Sequence, residues 1–201
     1  MAASVPLPES HHARCHGLIL AGGEGRRVGG QDKGWLQWQG QALVTHALER
    51  LLPQVDAVSI SANRNFSRYA ALGHPVLGDL RSGYCGPLAG MEAALFATRG
   101  ELLLCVPCDV PGFPLDLRQR LQSALGRNDD AAVVSLHGQL QPVFVLLQTR
   151  TRTSLSAYLD GGGRKVGEWL RTLSLQVVDF GDAAEAFENR NHPENLDAAS
   201  T

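Results

Sequence analysis

The sequence predicts an α/β fold: a doubly wound, mostly parallel sheet of about seven strands with helices on both faces. Three observations carry this expectation. Short apolar runs alternate with stretches of helical periodicity, and the first run passes directly into a glycine-rich, cationic loop. Polar residues with chemical potential recur just after the apolar runs, at the strand ends where open α/β sheets bind ligands.

In chain order, the run at 15–20 reads as the first strand. Leu43, Val44, Ala47, Leu48 and Leu51 then recur at helical spacing, and Pro53 stops that helix. Runs at 55–61 and 75–77 follow as strands. Pro87 suits the first position of a helix that continues through Ala97 and is ended by Gly100. The run at 101–106 is the next strand, and 115–125 the next helix. Strands at 131–136 and 143–147 are joined by a polar connection, 137–142, and a late run at 175–180 adds one more.

At 201 residues, of which 44% are apolar, the chain suits one α/β domain, here 15–201, behind a disordered leader at 1–14. That leader lacks the apolar stretch of a signal peptide, and no run approaches transmembrane length, so a cytoplasmic protein away from membranes is expected. A formal charge of −2 argues against a nucleic-acid surface and makes the basic cluster local. Cys15, Cys85, Cys105 and Cys108 include one Cys-x-x-Cys spacing. It lies on a predicted strand and lacks a second ligand pair, so reduced, packed thiols are expected rather than zinc or redox chemistry. His11, His12 and His16 are too local to form a metal site.

The glycine-rich loop runs Leu18-Ile19-Leu20-Ala21-Gly22-Gly23-Glu24-Gly25-Arg26-Arg27-Val28-Gly29-Gly30-Gln31-Asp32-Lys33-Gly34. Glycine lets backbone N–H groups approach an anion without side chains in the way, and Arg26, Arg27 and Lys33 bring charge to the same turn. Neither of two familiar phosphate loops fits. Lys33 is not followed by Ser or Thr, as a Walker A loop requires. A G-x-G-x-x-G register from Gly23 finds Val28 where the third glycine belongs. The upstream strand, glycines and cations together read as a cradle for a nucleoside triphosphate, with a glycine-rich surface loop whose charges are merely solvated as the alternative.

This loop resembles the signature of the molybdopterin nucleotidyltransferases, and its guanylyl-transferring branch in particular. Their pattern is Leu-Ala-Gly-Gly, a spacer, Arg-Met-Gly-Gly, one residue and Asp-Lys-Gly; Val28 replaces the methionine here. Sugar-nucleotide pyrophosphorylases diverge after the arginine, and the cytidylyl branch carries Leu-Ala-Ala-Gly. The resemblance spans roughly residues 16–197. It implies a Rossmann-like fold of the nucleotide-diphospho-sugar transferase type, nucleotide contacts at Leu20, Ala21, Gly22, Gly23 and Lys33, and a catalytic part for Arg27.

Asp109 is the candidate metal ligand. Nucleotidyl transfer builds negative charge on the α-phosphate and on departing pyrophosphate, which a hard divalent cation with oxygen ligands offsets. Pro107-Cys108-Asp109-Val110-Pro111 sets a carboxylate at a strand end between two prolines; capping of the next turn is the competing structural role. Pro-Cys-Asp matches the family's magnesium aspartate, so Mg2+ is the implied cofactor. Guanine presents N1–H and its N2 amino group together, and one carboxylate can accept from both. Asp79 is the candidate for that, with Asn63 contacting base or ribose; the resemblance implies nucleotide contacts at both. The family often has Glu-Asp where this chain has Gly78-Asp79.

For the second substrate, Gly86 and Gly90 lie in a segment resembling the family's Gly-Pro-Leu-Ala-Gly. Arg164 and Lys165 follow a run of glycines. Asn189 and Asn191 alternate in an ending that resembles Asn-x-Asn-x-Pro-Glu-x-Leu, although Asn191 suits a helix cap equally well. Where the family often carries a polar, histidine-containing turn, this chain has His137-Gly138-Gln139-Leu140-Gln141-Pro142, without strong charge. The resemblance implies GMP transfer from GTP to molybdenum-bound molybdopterin, with transient contacts to molybdopterin-loading proteins or client molybdoenzymes. A molybdopterin cytidylyltransferase, a sugar-1-phosphate nucleotidyltransferase and a noncatalytic nucleotide-binding adaptor for maturation are the alternatives.

Overall fold

A computed structural model of the chain describes residues 13–22, 32–83 and 85–190. Its centre is a seven-stranded sheet made of β1 (Cys15–Leu20), β4 (Ala57–Ser61), β5 (Val76–Leu77), β6 (Leu102–Pro107), β7 (Ala131–Leu136), β8 (Gln139–Gln148) and β9 (Leu175–Asp179), in the order β5-β4-β1-β6-β8-β7-β9. Only β8 runs against its neighbours; β5, β4, β1 and β6 pair in parallel, as do β7 and β9. A two-stranded ribbon, β2 (Gln37–Trp38) and β3 (Gln41–Ala42), precedes the first helix.

Alternating strand residues feed two apolar layers, because successive side chains of a strand point to opposite faces. In β6, Leu102, Leu104 and Val106 enter one layer, while Leu103 and Cys105 enter the other. The first layer is covered by α1 (Leu43–Leu51), α2 (Phe66–Ala70) and α4 (Leu117–Ala124). Covering the second are α3 (Pro87–Ala97), α5 (Arg152–Asp160) and α6 (Val166–Leu170), with Trp169 fully buried among them. This is the doubly wound arrangement that the alternating runs predict. All four cysteines are buried and unpaired, and burial pushes the Cys15 thiol up to about 12.

One strand is longer than its sequence suggests. The connection expected at 137–142 is instead a two-residue turn, His137-Gly138, with φ of 48° and 81°, and β8 begins at Gln139. Positive φ at both central positions matches the twist of an antiparallel hairpin. Pro142 disguises the strand, yet it falls in an irregularity where Val133 pairs with Val145 and Val134 with Gln141, so no ladder N–H is required of it. Helices α2, α5 and α6 have no counterpart in the sequence reading; two of them have only five residues. Among the described residues, no helix is long and apolar enough to cross a membrane.

Candidate active site

Strand β6 is buried along its whole length and delivers Asp109 just past the carboxyl edge of the sheet. The Cys108 N–H donates to the Leu20 carbonyl at 3.2 Å and joins the ends of β6 and β1. The Asp109 carbonyl accepts from the Arg190 N–H at 2.8 Å. Its carboxylate accepts from Lys33 Nζ at 3.4 Å and from Asn189 Nδ2 at 3.2 Å, both through Oδ2. Among the described residues, both donors reach Oδ2 and none reaches Oδ1. No group of three His, Cys, Asp or Glu side chains among them could form a metal cage. A lone carboxylate nonetheless fits magnesium, which keeps several waters and takes substrate phosphate oxygens beside one or two carboxylates.

Lys33 is held by its neighbour. Asp32 precedes a short 3-10 turn, Lys33–Trp35, and its side chain is 7% exposed. Its carboxylate accepts from the Tyr69 hydroxyl at 2.6 Å, Asn65 Nδ2 at 2.8 Å and the Gly34 N–H at 3.3 Å, and the Arg64 guanidinium stands 3.8 Å away. Burial, and then the bond to Asp32, push the Tyr69 phenol up, so it remains a donor. A side chain at Gly34 would run into the Tyr69 hydroxyl. The Asp-Lys-Gly triplet is therefore clamped at its aspartate, which fixes the turn that carries the partly exposed Lys33, and Asp32, Asn65 and Tyr69 are residues the sequence reading missed.

Lys33 and Asp109 face a cleft of about 350 Å³. Leu20, Ala21 and Gly22 line it at the end of β1, with Gln141, Phe144 and Phe187 also in its wall. Gln141 was not foreseen, because the start of the hairpin that carries it reads as a loop; Phe144 falls in the expected strand at 143–147, but nothing local marks it or Phe187 as cleft wall. The Ala21 N–H is already used, donating to the Ser61 carbonyl at 2.9 Å. Gly23 and Arg27 lie outside the described residues.

A Cβ on Gly22 would stand 3.6 Å from Asn63 Nδ2, so the end of β1 abuts a second, smaller hollow of about 200 Å³. It is lined by Asn63, Asp79, Arg81 and Gly83. Asn63 Nδ2 donates to Asp79 Oδ2 at 2.8 Å, and the Asp79 N–H donates back to Asn63 Oδ1 at 3.0 Å. Burial raises the Asp79 pKa, partly opposed by the Asn63 bond. At the position where the family often has glutamate, a Cβ on Gly78 would meet the Phe66 ring at 3.3 Å.

The acceptor-side candidates separate. Asn189 reaches Asp109, and Gly86 caps α3 beside Pro87, which lines the cleft. Gly90 is corrected: it is buried, and a Cβ there would stand 2.9 Å from Ser61 Cβ and 3.1 Å from Leu20 Cδ2, so its smallness serves helix-to-strand packing. Arg164 and Lys165 do not line the cleft. Arg164 donates to the Leu159 carbonyl at 3.0 Å, and Lys165 pairs with Glu168 at 2.7 Å. Asn191 lies outside the described residues.

Comparison with known proteins identifies the family and the fold. Residues 17–175 match the family model described as the MobA-like NTP transferase domain. A molybdenum cofactor guanylyltransferase of Shewanella sediminis is 47% identical over 178 residues, covering 88% of this chain and 91% of that protein. One from Shewanella woodyi is 45% identical over 182 residues, covering 90% and 93%. Among solved structures, molybdopterin-guanine dinucleotide biosynthesis protein A from Archaeoglobus fulgidus superposes with a TM-score of 0.73 at 21% identity, covering 90% of this chain and 94% of that one. The 4-diphosphocytidyl-2C-methyl-D-erythritol synthase of Anaerococcus prevotii gives 0.69 at 12% identity, over 91% and 94%, which speaks for the shared fold alone. The chain belongs to the molybdenum cofactor guanylyltransferase family of the MobA-like NTP transferases.

Proposed function

We propose that this protein transfers GMP from GTP to the terminal phosphate of molybdenum-bound molybdopterin, giving the guanine dinucleotide form of the cofactor and pyrophosphate. The observation that carries the reading is the pairing of Lys33 with Asp109 at 3.4 Å across one cleft, in a chain of this family. An acceptor phosphate is already anionic at neutral pH and can attack the α-phosphorus in line without a dedicated base. The protein's task is then positioning and charge compensation.

Lys33, fixed by the Asp32 clamp, takes the triphosphate oxygens, with Arg27 as a second catalytic cation from the glycine-rich loop. Leu20, Ala21, Gly22 and Gly23 supply the close backbone approach to the nucleotide. Asp79 reads the guanine edge and Asn63 orients it while contacting base or ribose. Asp109 holds Mg2+, which when bound offsets charge on the transferring and departing phosphates. The molybdopterin enters over Phe144 and Phe187, with Gly86 and Asn189 on its side of the cleft and Asn191 as a further candidate from the sequence. The reaction belongs in the cytoplasm, where molybdopterin-loading proteins or client molybdoenzymes would meet the product.

A pyrophosphate-release assay with each nucleoside triphosphate, with and without molybdopterin, tests this. Release is expected with GTP and the pterin together. Equal turnover with CTP, or turnover with a sugar 1-phosphate in place of the pterin, would overturn it.

A further inference from the structure

Helix α3 contains a buried anomaly. Leu88, Ala89, Gly90, Met91, Ala93, Ala94 and Leu95 are buried around Glu92, which is itself only 3% exposed. A carboxylate in such a place costs stability unless paired and hydrogen-bonded. Arg81 supplies the pair: Nε donates to Glu92 Oε2 and Nη2 to Oε1, both at 2.7 Å. This two-pronged geometry is the strong form of an arginine–carboxylate contact. Ser156 Oγ of α5 donates to Glu92 Oε1 at 2.7 Å, and Arg81 Nη1 donates to Asp160 Oδ1 at 2.5 Å. Arg81 Nη2 also reaches the Ser156 carbonyl at 3.3 Å.

Arg81 is two residues from Asp79 and lines the same small hollow. The strand before it, β5, has only two residues and sits at the edge of the sheet, so it anchors the segment weakly. The segment 78–83 contains no regular structure, and Gly83 adopts a φ of 86°. Beyond the Asn63–Asp79 bonds, what ties it to the body of the protein is the arginine, bolted to α3 and α5.

We propose that Arg81 is a positioning residue for nucleobase selection: its clamp on Glu92 and Asp160 holds the Asp79 carboxylate in register with Asn63, and so sets how well guanine is told from other bases. This rests on the reading of Asp79 as the guanine reader. A carboxylate accepting from N1–H and N2 discriminates only while its two oxygens stay in the plane of the base edge. A loop free to shift by a fraction of a hydrogen-bond length loses that discrimination before it loses phosphate chemistry.

The test compares GTP with ITP, whose base lacks the N2 amino group. In Arg81→Lys, which keeps charge but not the two-pronged bond, the KM for GTP is expected to rise about tenfold, with most of the loss in KM rather than kcat. The GTP-over-ITP ratio of kcat/KM contracts by a similar factor. Because lysine cannot make the two-pronged bond and leaves the buried Glu92 carboxylate less well satisfied, the double variant Arg81→Met with Glu92→Leu is measured alongside, since it removes both charges together. If it folds with parental thermal stability and still shows the contracted ratio, the effect is one of positioning. A folded double variant with parental KM and parental GTP-over-ITP ratio overturns the proposal. Asp79→Ala separates the two layers of inference: if it leaves the ratio unchanged, the base-reading assignment fails, whereas loss of the ratio there with parental Arg81 variants refutes the clamp alone.

Discussion

Asn63 and Asp79 grip each other in both directions, one side chain donating at 2.8 Å while the other residue's backbone N–H donates back at 3.0 Å. The grip joins the end of β4 to the end of β5 and leaves a half-buried carboxylate whose pKa burial has raised above its usual 3.8. A raised carboxyl pKa means that the folded chain binds its proton more readily than the unfolded chain. This contribution to stability is therefore present in acid and is lost as pH rises through the folded pKa. Guanine binding runs the other way, since only the ionised form accepts from both N1–H and N2.

The KM for GTP is accordingly expected to climb as pH falls through the raised Asp79 pKa, in a window above that of an ordinary aspartate. In Asp79→Asn that acid limb should vanish, and affinity at neutral pH should fall by about 1.5–3 kcal/mol, the range for a hydrogen bond to a charged group. Steady-state KM measured against pH decides it: an acid limb that survives unchanged in Asp79→Asn places the titrating group elsewhere.

Lys33 and Asp109 make a partly exposed pair, at 25% and 15%, and surface-like pairs contribute little to folding. Lys33→Ala and Asp109→Ala should therefore melt close to the parent while losing about 10²–10³-fold in turnover, the usual loss of one preorganised charge at a transferring group. Near-normal turnover by either purified variant removes it from the mechanism.

Removing divalent ions with a chelator should stop pyrophosphate release, and adding Mg2+ back should restore it. Asp109→Asn should need far more Mg2+ for half-maximal rate, because an amide oxygen is a poorer partner for a hard cation than a carboxylate. Rates that stay independent of metal concentration in the chelated enzyme would speak against the Asp109 assignment.

The sheet was legible because β1, β4, β6 and β7 are short apolar runs with little ambiguity of period, and because α1 and α3 carry clear stop and start signals at Pro53 and Pro87. The candidate site was legible where function is written at strand ends: Lys33, Asn63, Asp79 and Asp109 all follow such runs. What stayed hidden depends on distant partners. Asp32 looks like an ordinary loop residue until Tyr69 of α2 and Asn65 just before that helix reach it, and Glu92 looks like the polar face of α3 until Arg81 covers it. Gln141 joins the cleft wall because β8 starts at Gln139, four residues before the strand expected at 143–147, and Pro142 hides that start.

The Asp32 clamp yields a separate expectation. Tyr69 is fully buried, and its hydroxyl makes the shortest of the bonds to Asp32 described above. Because the phenol pKa is pushed up, it donates across the whole physiological range. Tyr69→Phe keeps the ring against Trp35, 5.0 Å between centroids, and removes only the donor. The buried carboxylate then loses a partner, for about 1–3 kcal/mol of stability by urea denaturation, with a fall in kcat/KM as Lys33 loses its fixed turn. Parental stability in this variant would mean that Asn65 and the Gly34 N–H suffice.

Gly90 offers the sharpest test of packing against ligand contact. An added methyl would press on Ser61 and Leu20, at 2.9 Å and 3.1 Å from their nearest side-chain carbons, in the wall between α3 and the parallel strands. Close-packed interiors do not absorb a methyl without shifting backbone, typically at about 1–3 kcal/mol. Gly90→Ala should thus lower the melting temperature by several degrees. Since the Ser61 carbonyl accepts from the Ala21 N–H at the mouth of the cleft, the displacement should also raise the KM for GTP. A glycine that faced the pterin would behave differently, raising the KM for molybdopterin alone at parental melting temperature. Measuring both KM values and the melting curve of this one variant separates the two roles.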